Sequence, residues 1–316
     1  MGVILLIVIL GLVVVVHEYG HYFAAKRFGV KVEEFGFGFP PRAKKLFKRG
    51  ETLFTLNWIP FGGFVKLLGE NPDDALRTDE DQSRSLVSKA KWKQAIILVA
   101  GVFMNFLLAG VLFSIGFMSG MPVAIDEANT TATNRQVIIT SVQKDSPAAV
   151  AGLPAGVQMV SLDGNTEAVK SITAMQSYIQ SHADQSVVVG YTLKKDVQTV
   201  TITPKQNLGA EGKAGIGVSL DLTGEIKLPF FKAIGEGFAT AARMVATIFL
   251  FFVKFIGGLF GASAGVSSSD VTGPVGIAGL ATQAFNMGFV YLLTFIAIIS
   301  SNLAVLNLIP FPALDG

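Results

Sequence analysis

The stretch that decides the fold is VVVVHEYGHYFAAKR, residues 13–27. It places His17, Glu18 and His21 at the inner end of an apolar run, because no side chain before His17 is charged. The run continues into two basic residues without the small-residue cleavage site of a signal peptide. We therefore expect residues 1–27 to form a membrane helix that is retained in the mature chain.

The composition indicates a membrane protein. Of the 316 residues, 51% are hydrophobic and only 15% are charged, and the mean hydropathy of +0.54 is too high for an ordinary soluble domain of this length. The net charge of +2 gives no sign of a polyanionic partner, so we expect no nucleic acid. Because the chain has no cysteine, disulfides and thiolate metal sites are excluded, and His, Asp and Glu remain as the strong metal ligands.

Two further membrane helices are predicted. The second, residues 93–118, contains a long apolar run from 95 to 118, and the third, residues 285–316, contains one from about 285 to 308. Each run is long enough to cross the hydrocarbon core. The sequence therefore predicts at least three spans.

The distribution of basic residues predicts the sidedness. Residues 24–93 carry 14 Lys and Arg, whereas residues 119–135 carry only Arg135. By the positive-inside rule, the loop 28–92 lies in the cytoplasm, and the N-terminus and the region 120–229 lie outside. We expect a multi-pass protein of the cell membrane.

A small soluble domain is predicted within the outer region, at about residues 137–205. It alternates the strand-like segments VIITSV, VVVGYTL and VQTVTITP with a Gly-containing turn, Leu162-Asp163-Gly164-Asn165, and a helix around 171–182. The predicted fold class is thus an α-helical multi-pass membrane domain with an inserted α+β domain.

The segment 230–261 is apolar but amphipathic. At 100° per residue, its charged side chains fall on one stripe, which is typical of a helix that lies in the membrane interface; they are Lys232, Glu236, Arg243 and Lys254. A buried helix that partly crosses the membrane is the alternative. The Gly-rich segment 262–284, which includes Gly273-Pro274, is expected to be a connector that turns the chain into the last helix.

The motif His17-Glu18-Tyr19-Gly20-His21 has the form H-E-x-x-H. Imidazoles at i and i+4 share a helix face and can chelate one Zn²⁺, and the adjacent Glu18 can take a proton from a water that the metal polarises. Two histidines that meet by chance, or that line an ion path, are the alternative. A catalytic zinc needs a third protein ligand, for which Asp315 is the best candidate, although Asp-Gly after a proline-broken helix is also a common turn.

These motifs together resemble the site-2 protease family of intramembrane zinc metalloproteases. HEYGH lies in a first membrane helix, NLIPFPALDG at the end of a later one, and SPAAVAGLPAG and VSLDG lie between them. The match is closest to the bacterial RseP-like branch with a single PDZ domain. The resemblance implies that His17, His21 and Asp315 bind zinc and that Glu18 is the catalytic base, with the active site toward the cytoplasm and the PDZ domain outside. It also implies a further membrane helix beyond Gly316.

The resemblance extends to substrate binding. It implies membrane-associated β-elements in the cytoplasmic loop that present substrate, with Gly62 and Gly63 among them, and a strand edge could take up the backbone of an unwound substrate helix. A purely structural hairpin is the alternative. Asn105, Asn302 and Asn307 are polar residues of the spans and are further candidates for substrate contact, or for bonds between helices.

The predicted activity is regulated intramembrane proteolysis within the lipid bilayer. The family implies single-span membrane protein substrates, such as anti-sigma factors, or remnant signal peptides. The alternative function is a catalytically inactive PDZ-bearing membrane scaffold with a structural metal site. Such a site would have no need of Glu18, so the intact motif favours the enzyme.

Overall fold

The structure, a computed structural model, divides into two compact units. The membrane unit comprises Met1–Ser119 and Leu228–Gly316, and the inserted domain comprises Gly120–Lys227. The residues that the structure describes are 2–70, 79–128, 131–193, 196–208, 212–259 and 273–308.

The chain runs from the membrane unit into the inserted domain and then returns to the membrane unit. The helices are α1 (Gly2–Arg27), α2 (Asp79–Ser83), α3 (Lys91–Ser119), α4 (Pro147–Val150), α5 (Ile172–Ser181), α6 (Phe230–Leu259), α7 (Pro274–Met287) and α8 (Phe289–Leu308). The strands are β1 (Val32–Arg49), β2 (Thr52–Leu67), β3 (Met121–Ala124), β4 (Thr133–Val142), β5 (Gln158–Leu162), β6 (Val187–Leu193), β7 (Asp196–Ile202) and β8 (Val218–Ile226).

Four of the described helices are long and apolar enough to cross a membrane: α1, α3, α6 and α8. Helices α1 and α3 coincide within two residues of each end with the helices expected at 1–27 and 93–118. The chain is therefore a multi-pass membrane protein. The structure makes 230–259 one continuous helix, and its placement in the membrane interface stays a prediction.

Small residues let the membrane helices approach closely. A Cβ built on Gly20 of α1 would lie 2.4 Å from the carbonyl oxygen of Ala100 in α3, and one on Gly237 of α6 would lie 2.8 Å from the carbonyl oxygen of Gly110 in α3. Only glycine permits these backbone distances. Such close packing is how helices associate in lipid, where apolar side chains gain little by leaving the solvent.

The expected connector 262–284 is wrong in its second half. Residues from Pro274 onward form α7, which ends at Met287, and α8 then begins at Phe289 rather than at 285. Proline suits the first helical position, because an N–H there has no partner within the helix and the fixed φ of proline matches that of a helix. Gly273-Pro274 is therefore a helix start. Gly288, with φ +120°, separates the two helices.

The loop 28–92 contains the expected β-structure. Strands β1 and β2 pair as a long antiparallel hairpin, in which residues 34–37 of β1 pair with 63–66 of β2 and also with 53–56. The base of the hairpin packs against the end of α1, where Val30, Val32 and Phe35 join a buried cluster.

The inserted domain is built on one antiparallel sheet with the strand order β3-β8-β4-β5-β6-β7. The predicted strands and helix appear at β4, β6, β7 and α5, and Ser171 caps α5 by accepting the N–H of Ala174 at 3.0 Å. Met175 of α5 is fully buried in the core that covers the sheet. Strands β3 and β8 belong to the same sheet, although they lie outside the range 137–205 that the sequence suggested.

Candidate metal centre

Helix α1 brings the two imidazoles of the motif together. His17 and His21 lie one turn apart, are 1% and 7% exposed, and have their rings edge to face with centroids 4.8 Å apart. The two Nε2 atoms face each other at 3.2 Å. His21 Nδ1 lies 2.8 Å from the backbone carbonyl oxygen of Ile97, which can only accept, so Nδ1 carries the proton and Nε2 presents its lone pair.

This geometry fits a zinc ion. Two nitrogen ligands at about 2.0–2.1 Å in a tetrahedral arrangement are about 3.3 Å apart, close to the separation of the Nε2 atoms. Gly101 keeps the space beside them open, since a Cβ there would lie 2.3 Å from His21 Nε2 and 2.7 Å from His17 Nε2. His17 and His21 would therefore hold the metal through Nε2.

Helix α3 faces the histidines with residues spaced four apart. Ile97 accepts from His21, Gly101 leaves room for both rings, and the side-chain amide nitrogen of Asn105 lies 3.2 Å from His17 Nδ1. Residues at i, i+4 and i+8 share one helix face. One stripe of α3 thus forms the wall behind the predicted metal ligands.

Helix α8 completes the surroundings of His17. The side-chain amide nitrogen of Asn307 lies 2.8 Å from His17 Nε2. About two turns earlier in α8, the hydroxyl of Ser300 donates to the backbone carbonyl oxygen of Asn105 at 2.8 Å. His17 is therefore surrounded by polar groups from two other helices that lie far from it in sequence.

Glu18 lies beside the β-hairpin. A Cβ added at Gly63 of β2 would be 3.5 Å from Glu18 Cγ and 2.9 Å from the carbonyl oxygen of Gly36. Glycine at position 63 therefore lets the strand pass close to the predicted base.

An ion-pair cluster holds the hairpin at the end of α1. Glu51, at the turn of the hairpin, pairs with Arg84 and with Lys26, the latter at 3.2 Å. Donation by Arg84, and then by Lys26, lowers the pKa of Glu51 from its ordinary value. The cluster fixes the hairpin relative to the helix that carries the motif.

The predicted site residues do not all meet. The structure brings Asn105, Asn307 and Gly63 to His17 or Glu18, but Gly62, with φ +77°, packs against the ring of Phe39, and Asn302 donates to the carbonyl of Ile298 in its own helix at 2.9 Å. The roles of these residues in substrate binding stay predictions.

The third zinc ligand is not tested by the structure. Asp315 lies outside the described residues. Within the described part of the chain, no group of three or more His, Cys, Asp or Glu side chains could hold a metal ion. The two histidines are thus the part of the centre that the geometry supports.

The sequence did not identify three groups of the site: Gly101, the Ile97 carbonyl and Ser300. For Ile97 and Gly101, the signal was the four-residue spacing of positions 97, 101 and 105 in a predicted span. Many residues of an apolar run share that spacing, and the sequence does not show which helix face meets a partner. The spacing was therefore not informative.

A family comparison covers nearly the whole chain. The sequence model of Peptidase family M50 matches residues 5–316. A protein of Clostridium perfringens that is assigned by name to the zinc metalloproteases is 34% identical over 305 residues, which cover 96% of this chain and 82% of the relative. One of Bartonella henselae, named in the same way, is 30% identical over 324 residues, with coverages of 96% and 86%.

Solved structures of PDZ domains are similar to part of the chain. The PDZ domain of an SdrC-like protein from Listeria monocytogenes is 27% identical, with 30% of this chain and 93% of that chain covered and a TM-score of 0.24. The corresponding PDZ domain from Listeria innocua is 28% identical, with coverages of 27% and 92% and the same TM-score.

Proposed function

The chain belongs to Peptidase family M50 and is a zinc metallopeptidase, and we propose that it is an intramembrane endopeptidase that cleaves membrane-spanning segments. The observation that carries the proposal is the pair of buried Nε2 atoms of His17 and His21, which lie 3.2 Å apart on an apolar helix. The predicted base, Glu18, directly follows His17 on the same helix. Ionisable side chains in a membrane helix are costly and mark function.

His17 and His21 would hold the zinc, and we propose Asp315 as the third ligand. When bound, zinc supplies a Lewis acid for the scissile carbonyl and for the attacking water. Glu18 takes the proton of that water and delivers it to the leaving amine. The amide of Asn307, beside His17 Nε2, is placed to donate a hydrogen bond to a substrate oxygen near the same atom.

The substrate must reach this site as an extended segment. A membrane helix hides its peptide groups in internal hydrogen bonds, so it has to unwind before cleavage. The β-hairpin beside Glu18 offers backbone groups that can pair with the freed strand. We propose single-span proteins, such as anti-sigma factors, or remnant signal peptides as substrates, and regulated intramembrane proteolysis as the process.

We propose that the inserted domain is a PDZ domain that filters substrates outside the membrane. A cavity of about 260 Å³ lies between α5 and β8, lined by Ile172, Gln176, Ile179, Ile216, Val218 and Leu220. In the described part of this sheet edge, β3 pairs only with residues 223–226 of β8. The N–H of Ile125 donates to the carbonyl oxygen of Leu222, so the residues of β8 before Leu222 have an edge to which a peptide strand can add. The active site would lie toward the cytoplasm.

A Glu18→Gln variant tests the proposal. In membranes, with a single-span substrate, we expect the variant to keep one zinc per chain and to lose cleavage, because glutamine cannot take a proton. Glu167→Gln, an exposed change in the inserted domain, is the matched control and should cleave normally. Unchanged cleavage by Glu18→Gln would remove Glu18 from its assigned role.

The third ligand has a separate test. Asp315→Asn should weaken zinc binding and abolish cleavage while the inserted domain stays folded. A structure of the active enzyme with Asp315 more than about 6 Å from both imidazoles would defeat the assignment, because a carboxylate at that distance cannot share a metal with them.

A further inference from the structure

A histidine that binds a metal through Nε2 needs a partner for its other nitrogen. The proton then resides on Nδ1, and the group that accepts it fixes the tautomer and the direction of the ring. For His21 this group is the backbone carbonyl of Ile97, at 2.8 Å. His17 likewise needs an acceptor for its Nδ1 proton, and the residue that faces this atom has no assigned part in metal binding.

The group that faces His17 Nδ1 is the side-chain amide of Asn105. The distance between Asn105 Nδ2 and His17 Nδ1 is 3.2 Å, and both side chains are at most 1% exposed. The amide oxygen, Oδ1, is buried, and within the described residues no donor reaches it. The oxygen and nitrogen of an amide occupy nearly equivalent positions, so a half-turn sets Oδ1 against His17 Nδ1.

Helix α8 braces Asn105 from behind. The hydroxyl of Ser300 donates to the Asn105 backbone carbonyl at 2.8 Å, and both residues are fully buried. By contrast, the next residue, Ser301, donates at 2.9 Å to Ala297 in its own helix. Ser300 thus makes a bond between α8 and α3 at the level of the amide that faces His17.

We propose that Asn105 is a positioning residue for the metal: its Oδ1 accepts the Nδ1 proton of His17 and so directs His17 Nε2 to the zinc, while Ser300 holds Asn105 in register. This inference rests on the proposed function, in that the two histidines bind zinc. It replaces direct substrate contact as the role of Asn105. The residue acts through His17 and does not itself touch the reacting atoms.

The test is the zinc affinity of the purified protein, measured by competition with a chelator. Asn105→Leu removes the acceptor and should weaken zinc binding about 10–100-fold, as loss of an outer-shell partner does. Asn105→Asp should bind zinc at least as tightly as the wild-type protein, since a carboxylate is a stronger acceptor for an imidazole N–H near a cation. Wild-type affinity in Asn105→Leu overturns the proposal, and so does an equal loss in both variants, which would show a packing role alone.

A spectroscopic measurement separates positioning from folding. The chain has three histidines, so ¹⁵N-histidine labelling in a His182→Gln background leaves only His17 and His21 to observe. In the zinc-loaded protein, the Nδ1 proton of His17 should exchange slowly, and Asn105→Leu should make its exchange at least tenfold faster without changing that of His21. Equal exchange at His17 in both proteins contradicts the assigned bond.

Two further variants complete the design. Ser300→Ala should weaken zinc binding severalfold, whereas Ser301→Ala, the adjacent control, should not, and equal affinities would remove Ser300 from the proposal. His21→Ala tests the proposed function itself: if it leaves zinc affinity unchanged, the metal is not at this site. A loss in His21→Ala without one in Asn105→Leu rejects only the inference about Asn105.

Discussion

Replacing Gly101 by alanine should abolish zinc binding without unfolding the protein. The new Cβ would lie 2.3 Å from His21 Nε2, whereas ordinary contacts begin at 3.4 Å, so the imidazole would have to move by about 1 Å. Zinc–nitrogen distances tolerate only about 0.2 Å. At least one histidine therefore leaves the metal.

The zinc affinity of Gly101→Ala should fall by more than it falls when a ligand histidine only loses the group that bonds its other ring nitrogen. We expect a loss of at least about 100-fold, or about 2.7 kcal/mol. The protein should still fold, because the gain of about 1 kcal/mol for alanine over glycine in a helix offsets part of the roughly 1–3 kcal/mol that overpacking typically costs. The assay is zinc content and chelator competition of the purified protein, with thermal unfolding measured in parallel.

Gly11→Ala is the matched control. Position 11 lies in α1, within the same membrane unit, and a Cβ there meets no atom within 4 Å. Its zinc affinity should equal that of the wild-type protein. If Gly101→Ala holds one zinc per chain with an affinity within threefold of wild type, the metal does not lie between these two Nε2 atoms.

Three further perturbations test other parts of the structure. Gly237→Ala should destabilise the membrane unit by about 1–3 kcal/mol in an unfolding titration, because its Cβ would meet the α3 backbone, whereas Gly235→Ala, whose Cβ meets open space, should not; equal stabilities would contradict the α3–α6 packing. Glu51→Gln should cost about 0.2–1 kcal/mol near pH 7, where the carboxylate binds Arg84. The pKa of Glu51 is lower in the folded than in the unfolded protein, so its stabilising effect is present above the unfolded pKa and is lost as the pH falls through the folded pKa. The difference in the free energy of unfolding between wild type and Glu51→Gln should therefore shrink in acid. A difference that stays constant with pH would refute the ion pair. A cysteine in place of Arg243 should react with a membrane-impermeant reagent added outside, and labelling only from the cytoplasm would reverse the predicted sidedness.

The sequence alone determined the features that depend on local spacing. His17 and His21 are four positions apart, and one helical turn puts them on the same face wherever the helix lies. Apolar length likewise predicted α1 and α3, since a bilayer imposes the same length on any spanning helix. The cytoplasmic placement of the loop 28–92 stays a prediction. In the inserted domain, alternation of apolar residues predicted β4, β6 and β7.

Features that join distant segments required the tertiary structure. The helix from Pro274 was mistaken for a connector, because glycine-rich sequence is compatible with either and packing decides between them. The sequence could name Asn105, Asn302 and Asn307 as polar residues in apolar helices, but it could not show that two of them face His17 and the third bonds its own helix.

The immediate surroundings of the metal centre were decided in the same way. Gly101, the carbonyl of Ile97 and the hydroxyl of Ser300 are ordinary groups that become parts of a site only because α1, α3 and α8 pack at this distance and rotation. The rotation of one membrane helix against another depends on contacts between small residues such as Gly20 and Ala100, far apart in sequence, and no local pattern encodes it.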